Sequence, residues 1–232
     1  MDKKAPVRRM GRALVISLVL YALASPTSSS ADEFSQVSHY AARLFSYGTL
    51  VVDARMGDVH IEGWDEPRVE VEAEKVVRTG NAVKAEPLFG QIRVLLVGGD
   101  KEVRLSTIYP PRSLLRPFRD ESQLTVNLTV HMPFDSNLRL KCVDGDVYVH
   151  GVIGREDLRV NYGDVEIDVP SVYDLRSLRA HTVLGYVQSD LTGLDQDAAG
   201  FQKSIAFTNL RGSQDIDVRV KLGGVFIYRE GD

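Results

Sequence analysis

The stretch Asp144–Val169 reads DGDVYVHGVIGREDLRVNYGDVEIDV. Within it the phrase Gly-Asp-Val-x-(Val/Ile) occurs twice, and its two glycines, Gly145 and Gly163, lie 18 residues apart. A third copy, MGDVHIEG, spans Met56–Gly63, and weaker copies stand at Gly185 (LGYVQSD) and Gly223 (GGVFIY). Counting from each glycine sharpens the repeat. Five residues before it stand Val52, Leu140, Leu158, Ala180 and Val218, and three before it Ala54, Cys142, Val160, Thr182 and Val220. Two residues after it stand Val59, Val147, Val165, Val187 and Val225, and four after it Ile61, Val149, Ile167, Ser189 and Ile227. The intervening residues are mostly polar. Period-two alternation through both arms is the signature of half-buried strands, so each unit reads as strand, glycine turn, strand.

The step from three before to two after the glycine is odd, so the turn must reset the pleat for both arms to face inward. Glycine does this because it takes positive φ without a Cβ penalty, and the following Asp bonds nearby amides in an Asx-type turn. The later glycine spacings are 22 (Gly163 to Gly185) and 38 (Gly185 to Gly223), the latter reading as two units of 19. From Gly57 to Gly145 the spacing is 88, close to four units of 22. Between them, alternating runs at 68–77, 91–97, 102–108 and 123–132 are separated by Gly, Asn and Pro turn signals. A weak helical period occurs only around Ser35–Arg43. These patterns predict an all-β chain: a right-handed β-solenoid or solenoid-like sandwich of stacked strand-turn-strand repeats, with a conventional β-sandwich as the alternative.

Residues 1–24 carry the layout of a signal peptide. Lys3, Lys4, Arg8, Arg9 and Arg12 precede the apolar run Ala13–Ala24, which ends in Ala-Leu-Ala, and a polar stretch follows. The run is shorter than the roughly 20 residues of a comfortable transmembrane helix, so cleavage after Ala24 is expected, with an uncleaved anchor as the alternative. Residues 25–33 read as a disordered linker and 34–232 as one domain. The chain's 28 basic and 32 acidic residues fall to 23 and 31 once the leader's five basic residues and Asp2 are removed. That acidic balance argues against nucleic acid as partner, and against a membrane unless the leader stays as an anchor. The single cysteine, Cys142, excludes an intrachain disulfide and occupies an inward position.

The series LVVDARMGDVHIEGWDEPRVEVEAEK, LRLKCVDGDVYVHG and LRVNYGDVEI resembles the bacterial adhesin-like family with β-strand repeats, whose members repeat L-x-(V/T)-x-x-G-D-(V/I)-x-(V/I). In that family the first repeat is followed by a G-W-(D/N) step and alternating Val and Glu, matched here by Gly63-Trp64-Asp65 and Val69–Glu74. The resemblance runs from Phe34 to Tyr228. It departs at Gly185, which lacks the following Asp, and at 201–212. It implies no catalytic residues.

Chemistry motifs are absent: no G-x-S-x-G, H-E-x-x-H, P-loop or paired Cys-x-x-Cys. The five histidines are scattered, with His60 and His150 on outward positions. Direct stacking of the Gly145 and Gly163 units would place Asp146 and Asp164 about 4.8 Å apart, where solvent or a bridging Ca²⁺ must relieve the repulsion. The chain lacks the G-G-x-G-x-D pattern of calcium-binding solenoids, so solvated turns are expected and no metal or other cofactor is assigned. The loop YPPRSLLRPFR (109–119) stands apart, joining prolines to arginines and apolar residues. Arg112, Leu114, Leu115, Arg116, Phe118 and Arg119 are its candidate partner-binding residues. The expected function is an exported, non-enzymatic envelope protein, an adhesin-like binding or structural module in the periplasm or on the surface of a bacterium, whose partner is an envelope protein or polysaccharide. An accessory or sensor of an envelope-stress system, as the resemblance allows, and a carbohydrate-active β-helix protein are the alternatives.

Overall fold

The computed structural model describes residues 32–110, 124–191 and 198–229. The first strands are β1 (Asp32–Arg43), β2 (Thr49–Met56), β3 (Val59–Trp64) and β4 (Arg68–Thr79), followed by helix α1 (Ala82–Phe89). Next come β5 (Arg93–Gly99), β6 (Glu102–Ile108), β7 (Leu124–Pro133), β8 (Asn137–Asp144), β9 (Val147–His150), β10 (Glu156–Tyr162) and β11 (Val165–Val169). The last are β12 (Leu175–Ser189), β13 (Ala198–Thr208), β14 (Gln214–Leu222) and β15 (Val225–Arg229). Among the described residues the fold is all-β with one short helix.

Fourteen strands follow one path, β1-β4-β7-β3-β9-β11-β15-β12-β14-β10-β8-β2-β6-β5, and β13 pairs with β12 off it. The path turns back at β12, whose first half pairs with β14 and whose end pairs with β15. The two ends, β1 and β5, are in contact, so the sheet is nearly closed and barrel-like. Inside it lie all the residues that the glycine count places inward, none more than 3 % exposed. The pleat is therefore reset at the glycines as expected. Gly57, Gly145, Gly163 and Gly223 have φ of 113°, 146°, 128° and 145°, the left-handed region that disfavours side chains.

The units lie in parallel register. Val52, Leu140, Leu158, Val218 and Ala180 face one another across β2, β8, β10, β14 and β12. On the opposite wall Val59, Val147, Val165, Val225 and Val187 do the same. The backbones approach so closely that a Cβ on Gly163 would stand 2.1 Å from the carbonyl oxygen of Gly145, and one on Gly145 2.1 Å from that of Gly57. The repeated phrase thus has two causes, a turn conformation and a contact between neighbouring units.

The arrangement differs from coils added in chain order. The Gly223 unit lies between those of Gly163 and Gly185, although it comes last in the chain. The 38-residue interval is not two units of 19, because β13 folds back antiparallel on β12. Nor does the 88-residue interval hold four units. Among the described residues between the Gly57 and Gly145 units, only β6 and β7 lie parallel to the Gly57 unit, whereas β4 and β5 run antiparallel to their neighbours. Ser35–Arg43 belongs to strand β1, paired along its length with β4, and not to a helix. That strand starts at Asp32, inside the stretch read as linker. The one helix stands where the sequence reads as a turn, with the Asn81 side chain capping it by accepting from Lys84 N at 3.0 Å. No helix among the described residues is long and apolar enough to cross a membrane.

Candidate binding faces

Strand alternation leaves each wall an outer face, and the two differ in chemistry. The outward residues of β2, β8, β10, β14 and β12 include those four before each glycine: Asp53, Lys141, Arg159, Arg219 and His181. Two residues earlier on their strands stand Arg139, Asp157, Asp217 and Arg179. At the β14 end acids neutralise this basic face. Asp217 pairs with Arg219 at 2.9 Å and Arg179 at 3.4 Å, and Asp215 pairs with Arg176. The hydrogen bond from Arg176, reinforced by that from Ser177, holds the Asp215 carboxyl down at about 2.

At the β8 end the balance changes. A groove of about 770 Å³ runs over this part of the face, lined by Arg104, Arg139, Lys141, Arg155 and Arg159 against two acids, Asp53 and Asp157. Asp157 is taken by Arg159 in a two-pronged contact with both distances 3.2 Å, and Arg104 reaches Glu102 at 3.1 Å. Arg139, Lys141 and Arg155 are exposed and make no ion pair among the described residues. The groove thus carries uncompensated positive charge on a chain whose formal net charge is −4.

The second wall bears ladders of aromatic, histidine and acidic side chains. His60 stacks on Tyr148 with ring centres 4.5 Å apart and planes 8° from parallel. His150 Nδ1 lies 2.7 Å from Asp168 Oδ2, and His131 Nε2 lies 3.0 Å from Glu62 Oε2. Trp64 donates from Nε1 to Arg68 O at 2.9 Å while the Arg68 guanidinium covers its ring at 4.9 Å. Phe226 lies between Tyr186 and Tyr228, 6.2 and 6.4 Å away. Most of these partners occupy adjacent strands, and cross-strand pairs of this kind stabilise a sheet. His60 and His150 are therefore engaged in ladders.

The aspartates after the glycines behave differently from a local Asx turn. Asp58 Oδ1 accepts from Asp146 N at 3.0 Å, Asp146 Oδ1 from Asp164 N at 2.8 Å, and Asp164 Oδ1 from Gly224 N at 2.6 Å. Each carboxylate ties its unit to the next one in space. Asn127 Oδ1 starts the series by accepting from Asp58 N at 3.2 Å. Cys142 is buried, which pushes its thiol up to about 12, and its sulfur lies 3.7 Å from Gly145 O and 3.9 Å from Gly57 O.

Of the loop singled out in the sequence, Arg112, Leu114, Leu115, Arg116, Phe118 and Arg119 lie outside the described residues. Its first residue, Tyr109, is buried and donates from its hydroxyl to Met56 O at 2.7 Å, so it is part of the core. Sequence reasoning missed the basic groove because it weighed net charge over the whole chain. The signal is present in the first arms, LRLK, LRVN, LRAH and VRVK, each of which places an Arg on an outward position, followed in three of them by Lys or His at the next outward position.

No family model matches the chain, and no curated protein does. The fold, however, has a solved counterpart. It is similar to a putative cell adhesion protein from Clostridium sporogenes, with a TM-score of 0.53 and 12 % identity over 84 % of this chain and 100 % of the other. A putative adhesin from Bacteroides fragilis aligns over 83 % of this chain and 97 % of its own at 9 % identity, but its TM-score of 0.24 carries no argument. At such identities the likeness concerns the fold alone.

Proposed function

We propose that this chain is an exported, non-enzymatic, adhesin-like module of a bacterial cell envelope, built to meet another surface with its outer strand faces. The observation that carries this reading is the fold likeness, over 84 % of this chain, to the putative cell adhesion protein of Clostridium sporogenes. The leader-like residues 1–24 support export, with 34–232 as one β-repeat domain. The parallel register of the five glycine units supports the finer reading of a solenoid-like array whose last two units are exchanged in space. On this reading the segment with Arg112, Leu114, Leu115, Arg116, Phe118 and Arg119 is a second partner-binding element.

Fractionation of the native bacterium, with N-terminal sequencing of the mature protein, tests export. The expected result is a chain beginning at Ser25 in the envelope or released fraction. A cytoplasmic chain with an intact N-terminus would remove the basis for an envelope role. Binding of the purified protein to isolated envelopes, with no turnover of their polysaccharide, is the matching functional outcome.

A further inference from the structure

The three cations of the groove that make no ion pair among the described residues form a line, with Arg155 also close enough to Asp215 to help hold its carboxyl down. Arg155 sits beside Asn137 at the start of β8, joined through the bond from Arg155 N to Asn137 Oδ1 and that from Leu138 N to Arg155 O. Arg139 and Lys141 follow on the same face of β8, about 7 Å apart, the span of two strand residues. Cations spaced in this way do not converge on one small anion, and the geometry favours an extended polymer with anionic groups at intervals. Along the flank toward β2 and β6, Thr49, Asp53 and Ser106 also line the groove. These groups accept hydrogen bonds, and the hydroxyls also donate them.

Among the described residues, no aromatic side chain lines the groove. Proteins that hold single-stranded nucleic acid interleave basic residues with stacking platforms, so nucleic acid fits this groove poorly. A polymer rich in hydroxyls and negative charge fits both sets of groups. We propose that the groove along β8 binds a linear acidic polysaccharide. Arg155, Arg139 and Lys141 engage its anionic groups, and Asp53, Ser106 and Thr49 face its hydroxyls. This names a ligand class for the surface-binding reading and rests on that reading for its setting. The binding event itself needs only the purified chain.

The probes are polygalacturonate and dextran sulfate, with neutral dextran, poly(dT) and phosphatidylglycerol vesicles beside them, titrated into the full chain at low and moderate salt. Saturable binding of both acidic polymers, weakened by salt, is expected, with no binding of dextran. Arg139→Gln with Lys141→Gln should lower the affinity by about tenfold, since two charge-assisted contacts are lost. Lys84→Gln with Lys203→Gln removes the same charge elsewhere and should leave affinity nearly unchanged. Arg155→Gln alone should give an intermediate loss, which keeps the test informative if the double variant folds poorly in melting. Equal losses in both double variants, no binding of either acidic polymer, or tighter binding of poly(dT) or vesicles would overturn the proposal. Failure of export would leave these titrations untouched, so the two readings fail separately.

Discussion

Glu156 is fully buried at the head of β10, facing Leu138 on β8 and Ile216 on β14. Its Oε1 accepts from Gln214 Nε2 at 3.0 Å, and the same amide donates to Val152 O at 2.9 Å. Its Oε2 has no hydrogen-bond partner. Burial pushes the carboxyl up to about 8, opposed by the Gln214 bond. The folded state therefore holds this proton more tightly than the unfolded chain does. The stability this gives is fully present below the unfolded value near 4.5 and is lost as pH rises through about 8, at up to about 1.4 kcal/mol per pH unit. Denaturant melts from pH 5 to 8 should show wild type losing stability relative to Glu156→Gln. Parallel curves would mean that Glu156 is ionised in the fold. The glycines give a second prediction at this scale. At Gly163, with φ 128° and the Gly145 carbonyl against it, replacement by Val should cost about 2–3 kcal/mol in thermal or urea unfolding. An unchanged midpoint would show that the backbone relaxes without cost.

Adjacent elements are joined by more than the strand ladders. Asp164 Oδ1 accepts from Gly224 N in the loop between β14 and β15, linking a unit to one about 60 residues later in the chain. Asp164→Ala should lower stability by about 1 kcal/mol, while Asp164→Asn, which retains the accepting oxygen, should lose less. Equal losses in the two variants would assign the effect to charge. Thr182 makes a comparable tie by donating to Gly223 O at 2.9 Å. Thr182 stands at one of the inward positions of the glycine count, and in the fold it is a buried hydroxyl with a partner. The element-scale misreadings have local causes. In Ser35–Arg43 a short run of mixed polarity imitates a helical period, but twelve paired residues along β4 outweigh that weak preference. Asn81 is both a turn residue and a helix cap, and the short helix behind it buries only Ala85, too little to leave a period in the sequence.

At the scale of the molecule, the order of the units has a consequence for folding. With the Gly223 unit between those of Gly163 and Gly185, its strands β14 and β15 fill the gap between β10–β11 and β12. A chain ending after Thr208 would leave the facing edges of β10, β11 and β12 unpaired and expose the core behind them. It should lose cooperative unfolding altogether and show no native transition by circular dichroism or calorimetry. In an array stacked in chain order, the same truncation would remove only a terminal unit and leave a shorter folded protein. A cooperative melt from the truncated chain would therefore contradict the observed strand order. The division of charge also belongs to this scale. A chain acidic in total still concentrates uncompensated arginine and lysine over one end of one wall, because acids pair with the basic residues at the other end.

The sequence by itself determined the strands, their inward faces and the glycine turns, because period-two alternation and positive φ are local properties written into neighbouring residues. Val147 and Val149 point inward whatever lies beside them, and Gly145 turns the chain for the same local reason. Tertiary structure alone decided which unit lies beside which, since any two units present the same apolar face and the same backbone edge. The placement of β14 and β15, the return of β13 and the antiparallel β1-β4-β7 and β5-β6 pairings come from that choice. It also decided which charges are neutralised. Arg139 and Arg179 both stand on outward positions opposite an aspartate of the next strand, yet Arg179 reaches Asp217 on β14 whereas Asp157, opposite Arg139, is held by Arg159. The basic groove is visible in the sequence as a set of residues but not as a site, because the pairing of charges across strands depends on strand order.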